Sequence, residues 1–286
     1  MKLVVIGANG QLGSDLSELA TKDGHEITKL THADISVEDI DSVHEVLKSI
    51  KPTYILNTAA YHNVPLCEEN PSESYAVNSI GALNVSRVAS DLGSIHVYYS
   101  TDYVFDGAKG IPYVETDRPN PLNVYATTKL AGEYHTLAAS DKNLVLRISG
   151  VYGKVPCRAK GSNFVTTIIR LAAEKKEVRV VTDEILTPTS SVAIAHGTLD
   201  LLKMGAGGLI HLTSEGECSW YDFAKVIFDT LELKTPLLRA SVSDFPVGVK
   251  RPAYSVLGNR RLESLGVNHL PHWKDSLETF LRVTIL

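Results

Sequence analysis

The sequence is poor in the features that mark several large classes of protein. Three of its 286 residues are cysteine, namely Cys67, Cys157 and Cys218, and they lie far apart. Their number is odd and no two form a C-x-x-C, so the expectation is three reduced thiols rather than a disulfide framework or a zinc site. Lysine and arginine nowhere form a run, and 28 of them against 33 acids give a formal net charge of −5. No basic stripe offers itself to a nucleic acid. No apolar run approaches the roughly 18 residues of a membrane helix. The chain opens on a strand rather than on the basic and apolar regions of a leader. Internal repeats and low-complexity tracts are also missing. With 44% hydrophobic and 21% charged residues, these absences leave a cytoplasmic globular protein of one large or two modest domains, with neither nucleic acid nor membrane as partner.

The most informative stretch is KLVVIGANGQLG at residues 2–13. An apolar strand runs into Gly7-Ala8-Asn9-Gly10-Gln11-Leu12-Gly13, and Leu16, Leu19 and Ala20 then recur at helical spacing. Strand, glycine turn and helix in that order make a dinucleotide cradle. Gly7 permits the sharp turn, Gly10 lets backbone N–H groups approach a pyrophosphate, and Gly13 lets the helix lie close on the sheet. The spacing is G-x-x-G-x-x-G, and by itself it is also compatible with an ordinary strand-to-helix turn.

Further strands and helices alternate. A second strand is expected over Gly24–Leu30 and a third over Tyr54–Ala60, the latter ending in small residues that let a ligand lie against the backbone. A fourth is expected at Ile95–Thr101, and a helix spans 72–93 with Asn78 on an otherwise apolar face. Asn78 reads either as a buried hydrogen-bonding bridge to a neighbouring strand or as a solvated or packing-tolerated polar residue. Such alternation specifies a doubly wound parallel α/β sheet with right-handed crossovers. No acid stands at the end of the second strand, where an adenosine ribose is often held. Asp34, beside Ile35, comes slightly later and either meets the adenine or ribose or caps a helix starting near Ser36. With Lys29 and His32 nearby, room is left for a 2′-phosphate, which favours NADP(H) over NAD(H).

The chemistry-bearing residues come next. Thr101 ends a parallel strand, where this architecture binds ligands. Tyr125 and Lys129 stand one turn apart on a helix and so share a face. An ammonium beside a phenol favours tyrosinate and lowers the phenol pKa from about 10, so that Tyr125 can exchange a proton near neutral pH. The Thr101 hydroxyl is placed to orient the same carbonyl oxygen. A Y-x-x-x-K alone is common by chance; joined to the strand-ending Thr101 and the glycine turn, it becomes specific.

Together these segments resemble an extended short-chain dehydrogenase/reductase and, more narrowly, the dTDP-4-dehydrorhamnose reductase family, over nearly the whole chain. The specific matches are Ser100-Thr101-Asp102-Tyr103-Val104-Phe105-Asp106-Gly107 and Arg251-Pro252-Ala253-Tyr254-Ser255-Val256-Leu257; Asn57-Thr58-Ala59-Ala60-Tyr61 is shared more widely. The resemblance implies NADP(H) or NAD(H) held by Gly7, Asn9, Gly10, Gln11, Leu12, Gly13, Asp34, Ile35, Ala59, Ala60, Tyr61, Asn78, Tyr125 and Lys129. It implies hydride transfer to the C4 keto carbon of a dTDP-6-deoxyhexulose, with Tyr125 as acid. Thr101, Asp102, Tyr103, Val104 and Arg251 would meet the nucleotide-sugar substrate, Arg251 gripping its diphosphate. Related dehydratases carry Asp-Glu after the threonine; Asp102-Tyr103 lacks the second acid, which argues against dehydration. Some family members use Mg²⁺ at an acidic dimer contact. Asp15 stands where that motif has an acid, but the other ligands are unassigned and no metal site is expected; a homodimer is compatible with the family.

Two stretches depart from the family. Gly150 stands where a tryptophan is usual, and in Asp183-Glu184-Ile185-Leu186-Thr187-Pro188-Thr189 the usual glutamine and glycine are Glu184 and Leu186. The alternatives kept open are therefore an epimerase or reductase on another nucleotide sugar, and a non-catalytic NADP-binding regulatory subunit of the methionine adenosyltransferase type. The basic segment Lys154–Gly161 reads either as a lid or as a surface loop. Residues 1–153, with a return over 186–212, are expected to form the nucleotide domain. Residues 154–185 and 213–286 are expected to form a smaller α/β substrate domain, with the ligand cleft between the two.

Overall fold

Val4, Val5 and Ile6 are buried on both faces of the first strand, as a strand inside a covered parallel sheet must be. In the computed structural model, which describes residues 1–156, 161–246 and 248–285, this β1 (Lys2–Ile6) is joined by β2 (Glu26–Leu30), β3 (Tyr54–Asn57), β4 (Ile95–Thr101) and β5 (Leu144–Ile148). Together with β8 (Gly208–His211) they form one parallel sheet in the order β2-β1-β3-β4-β5-β8. The order reverses between β1 and β3, which opens a crevice beyond their carboxyl ends.

Helices cover both faces. α1 (Gln11–Lys22) buries Leu12, Leu16 and Ala20 on one stripe and packs against α8 (Ser191–Met204), which leads into β8. α2 (Ile40–Ile50) is capped by the Asp39 carboxylate, which accepts from the N–H groups of Asp41 and Ser42. The helix expected near Ser36 thus begins four residues later, and Asp34 does not cap it. The helix expected over 72–93 is broken. α3 (Val64–Glu69) and α4 (Pro71–Tyr75) precede a π-helical turn at Ala76–Ile80, and α5 (Gly81–Leu92) follows. Such turns displace backbone groups from the regular ladder; here the Asn78 carbonyl accepts from the Tyr98 hydroxyl at 2.9 Å.

A second body has its own core of Tyr152, Val165, Phe223, Ile227, Trp273 and Phe280. It contains α7 (Phe164–Glu174), α9 (Trp220–Thr230) and α11 (Trp273–Thr284). A parallel pair, β6 (Val178–Val181) with β10 (Leu237–Ala240), and an antiparallel pair, β7 (Ile185–Leu186) with β9 (Cys218–Ser219), complete it. The two bodies interleave more finely than the sequence boundaries suggest. Leu186 pairs with Cys218, whereas α10 (Arg260–Leu265) buries Leu262 in the core of the large sheet. Cys67 and Cys218 are free and buried; Cys157 lies outside the described residues, as do Arg158 and Lys160 of the expected lid. No described helix is long and apolar enough to cross a membrane.

α6 (Val124–Ala139) lies hard against β4. At Gly132 an added Cβ would stand 2.4 Å from the Tyr98 hydroxyl oxygen and 2.5 Å from the Asn78 carbonyl oxygen. Gly132→Ala is therefore expected to destabilise the fold by about 1–3 kcal/mol through overpacking, read as a lower urea midpoint. An alanine variant as stable as the parent would mean that the seat of α6 can give way.

Candidate active site

The glycine turn is set by contacts that a side chain would spoil. Gly7 leaves β1 at φ +79°, and a Cβ there would meet Thr58 Oγ1 at 2.7 Å. The N–H groups of Gly7 and Ala8 both donate to the Leu30 carbonyl, at 2.8 and 3.0 Å. Gly13 lies against the turn so closely that a Cβ would stand 2.3 Å from the Gly7 carbonyl oxygen. A Cβ at Gly10 would meet only the Gly7 oxygen, at 3.2 Å. No side chain caps the start of α1 and its first turn carries no acid. The Gly10 N–H donates to the Gly7 carbonyl at 2.9 Å, which leaves the N–H groups of Gln11, Leu12 and Gly13 and the positive end of the helix dipole at the sheet crevice, a fit for the pyrophosphate of a dinucleotide.

Around this turn the expected cofactor residues divide. Asn9 is exposed and Leu12 buried. The Gln11 side chain is tied into the protein: its amide N–H donates to the Val151 carbonyl at 3.0 Å, and its Oε1 accepts from Asn163, the cap of α7, at 3.0 Å. Asp34 turns back on Thr31, accepting from its N–H at 2.8 Å and its hydroxyl at 2.7 Å. Those bonds hold its carboxyl below the usual range, and Ile35 beside it is buried. Ala59, Ala60 and Tyr61 line the end of β3, half-buried. Asn78 is fully buried; it accepts from the Tyr61 N–H at 2.9 Å and donates to the Tyr61 carbonyl at 2.8 Å and to Thr128 at 3.0 Å. The Asn78 side chain is thus a buried bridge, but it ties the loop after β3 to α6 and not to a neighbouring strand.

Thr101 is the last residue of β4, and the half-buried Tyr125 is in the first turn of α6. The start of α6 is pinned by the Asn123 side chain, which accepts from the Ala126 N–H at 2.9 Å, and by Glu68, which accepts from the Val124 N–H at 2.7 Å. One turn on, Lys129 is 2% exposed, with its ammonium 4.0 Å from the centre of the Tyr98 ring. Burial lowers its pKa to about 7, opposed by the charge of Glu133. Glu133 is itself engaged: Arg147 donates to both its oxygens, at 2.8 and 2.7 Å, and Ser100 donates at 2.5 Å. A buried lysine whose nearest acid is already paired gives up its proton readily.

The residues expected to meet a substrate come from distant segments. The Tyr103 ring meets that of Tyr125 edge-on at 6.3 Å. Burial raises the Tyr103 pKa, and the Arg251 charge counters it. Arg251 is exposed, and its segment is fixed by Asn123, which donates to the Lys250 carbonyl at 2.9 Å. Glu184 is buried; desolvation raises its carboxyl, and Arg251 and the Trp220 side chain pull it down. Two expectations need correcting. Val104 packs fully buried with Phe105, Tyr113 and Leu257 rather than facing a ligand. Asp102 has both oxygens bound within the protein, to Thr101, Ser149 and Ser255. Sequence reasoning passed over Ser149 and Ser255, although Ser255 belongs to a quoted motif, and over Glu133, one turn beyond Lys129. The departures at 150 and 186 also meet. Gly150 adopts φ +52°, and a Cβ there would stand 2.9 Å from Pro188 Cα and 3.0 Å from the Leu186 side chain. Leu186 fills space beside a position that admits no side chain. Among the described residues no group of His, Cys, Asp and Glu is gathered as for a metal ion; Asp15 accepts from the Ser191 hydroxyl.

A parallel sheet whose order reverses beside a glycine turn, with a Thr-Tyr-Lys constellation at its carboxyl edge, is the Rossmann-like architecture of the extended short-chain dehydrogenase/reductases. Within that class the chain belongs to the family described as RmlD substrate binding domain, whose model matches residues 1–285. It is 36% identical to the dTDP-4-dehydrorhamnose reductase of Aggregatibacter actinomycetemcomitans, over 97% of each chain. It is 35% identical to the dTDP-4-keto-6-deoxy-D-glucose reductase of Streptomyces niveus, over 96% of this chain and 94% of that one. The crystal structure of dTDP-4-dehydrorhamnose reductase from Bacillus anthracis in complex with NADP matches with a TM-score of 0.94 at 35% identity, covering 99% of this chain and all of that one.

The depressed lysine has a measurable consequence. Between about pH 7 and the ordinary lysine value of 10.5, the unfolded chain holds a proton that folded Lys129 has released, so folding stability rises with pH in that window. Lys129→Met removes this contribution. Urea unfolding of parent and variant at about pH 6.5 and about pH 9.5 should show the parent gaining on the variant by on the order of a few kcal/mol. An unchanged difference would mean that Lys129 keeps its proton.

Proposed function

We propose that this protein is an NAD(P)H-dependent oxidoreductase that reduces the C4 keto group of a nucleotide-linked deoxysugar, taking dTDP-4-dehydro-L-rhamnose to dTDP-L-rhamnose. The observation that carries this reading is the buried Lys129, one turn from the half-buried Tyr125 and over the Tyr98 ring of the strand that ends in Thr101. The names borne by relatives matched along almost their whole length agree with it.

The open start of α1, with Gly7, Gly10 and Gly13, suits the pyrophosphate of the cofactor, while Ala59, Ala60 and Tyr61 border its path. Bound there, a reduced nicotinamide supplies hydride to the carbonyl carbon. Tyr125 gives its phenolic proton to the carbonyl oxygen, so that ketone becomes alcohol. When charged, Lys129 favours the phenolate left behind, and its pKa of about 7 lets that charge come and go near neutral pH. Arg251 is assigned to the substrate diphosphate. Cofactor would sit on residues 1–153 with the return over 186–212, and sugar nucleotide against residues 154–185 and 213–286. A cytoplasmic location and a homodimer accompany this reading.

A second reading keeps the reduction and changes the sugar. Gly150 pressed against Leu186, with the Glu184 carboxyl near Arg251, favours a differently shaped sugar site, and the Streptomyces relative is named for another ketosugar. Purified protein with dTDP-4-dehydro-L-rhamnose should oxidise NADPH, and Tyr125→Phe should lower kcat by about 10²–10⁴-fold. Equal rates for variant and parent would remove Tyr125 as the acid. Exclusive use of a UDP- or GDP-linked sugar would displace the rhamnose precursor.

A further inference from the structure

Glu184 and Leu186, the two family departures around β7, lie on one face of an extended segment. They are 8% and 4% exposed, whereas Asp183 is exposed and Ile185 half-buried. Side chains two apart in extended backbone point the same way. The segment is clamped along both edges. On one, the Ile185 N–H donates to the Ala253 carbonyl and the Ser255 N–H to the Ile185 carbonyl, both at 2.8 Å. On the other, Ile185 pairs with Ser219 and Leu186 with Cys218 in antiparallel register, which sets Glu184 across from Trp220. Leu186 closes against Gly150, where a Cβ would stand 3.0 Å from it. The Arg251 charge acts on Glu184. Both charges act on the phenol of Tyr103, whose ring meets that of Tyr125 edge-on at 6.3 Å. Glu184 thus neighbours the expected acid and the expected diphosphate grip without being either.

The protein leaves part of this carboxylate unserved. A carboxylate has about four acceptor positions, and an indole offers a single N–H. Trp220 and the Arg251 charge pull the carboxyl down against burial, yet among the described residues no ion pair closes on it. A buried charge short of donors is costly unless a ligand supplies them. The diphosphate of a sugar nucleotide is anionic and is repelled by a carboxylate. Ring hydroxyls of the sugar are donors.

We propose that Glu184 is a specificity-determining residue whose carboxylate accepts a hydrogen bond from a ring hydroxyl of the bound sugar. This deepens the reductase reading above and rests on it. Trp220 orients the acid from the start of α9, and the Arg251 charge favours its ionised form. A carboxylate only accepts, whereas the glutamine usual at this position both donates and accepts. A sugar lacking the hydroxyl leaves the buried charge unmet and is refused.

Binding and turnover test this separately. By calorimetry, the parent should bind dTDP-L-rhamnose more tightly than at least one of its 2-deoxy and 3-deoxy analogues, by about 10–10²-fold. Glu184→Ala should bind full and deoxygenated sugars alike, while its affinities for dTDP and for NADPH stay those of the parent. In turnover of dTDP-4-dehydro-L-rhamnose the loss should fall mainly in KM, in contrast to Tyr125→Phe. Equal discrimination by variant and parent overturns the proposal. So does tighter binding of dTDP-L-rhamnose by Glu184→Ala, which would mean that the acid only competes with the diphosphate for Arg251. Should Glu184→Ala fail to fold, the nearly isosteric Glu184→Gln decides, and it should narrow the discrimination. If dTDP-L-rhamnose does not bind the parent, the rhamnose reading fails, and the same comparison on the sugar nucleotide that does bind decides Glu184. A parent that discriminates in binding but reduces no ketosugar retires the reaction and leaves the binding role standing.

Discussion

The site depends on how closely α6 lies on β4. Gly132 lets the helix backbone come down onto Tyr98, and the π-helical turn at Ala76–Ile80 brings the Asn78 carbonyl to the same point. With the helix seated, Lys129 lies over the Tyr98 ring, out of water, and the charge of Glu133 only partly offsets that burial. Its lowered pKa is therefore a consequence of packing. The phenol one turn earlier inherits that placement, because residues four apart on a helix move together.

What keeps α6 in register is polar and buried. Glu133 takes two bonds from Arg147 and one from Ser100, the neighbour of Thr101. Arg147 also lies 5.0 Å from the Phe105 ring, and its NH1 is 3.4 Å from His211 Nε2. Burial and the Arg147 charge keep His211 neutral by taking its pKa down to about 3. A buried ion pair is a poor source of net stability but a strict one of geometry, since removing one partner strands the other charge at a cost of about 3–5 kcal/mol. This pair joins the helix bearing Tyr125 to β5, and through Ser100 to the end of β4. The strand end bearing Thr101 and the helix bearing Tyr125 are thereby tied to one another.

The second body reaches the same place by a different route. Gln11, at the start of the cofactor helix, is bonded to Val151 and to the cap of α7. Gly107, at φ +79°, admits the 252–254 backbone so closely that a Cβ would stand 2.8 Å from the Ala253 nitrogen. Asn123 holds Lys250, and Ser255 reaches Asp102. Segments far apart in the chain are thus latched to one another at the carboxyl edge of the large sheet. The same economy holds at position 150: where the backbone is left-handed and carries no side chain, Leu186 occupies the adjoining space.

Much of this was written into local sequence. The glycine turn, the alternation of strand and helix, the strand ending at Thr101 and the one-turn spacing of Tyr125 and Lys129 are short-range patterns, and each follows from backbone geometry or helical period alone. The break at Ala76–Ile80 was not legible, because a π turn follows from what the helix packs on. Nor was the burial of Val104, which looks from its neighbours like part of a ligand-facing run. The fate of Asp34, Asn78 and Asp102 depended on hydrogen-bond partners brought by other segments, and a carboxylate or an amide does not announce its partners along the chain. The sequence by itself therefore determined the kind of sheet and the chemical groups at its carboxyl edge, since period and spacing are properties of the chain. Only the tertiary structure decided how deeply those groups are buried and which partners hold them, because desolvation and hydrogen bonding arise where distant segments meet.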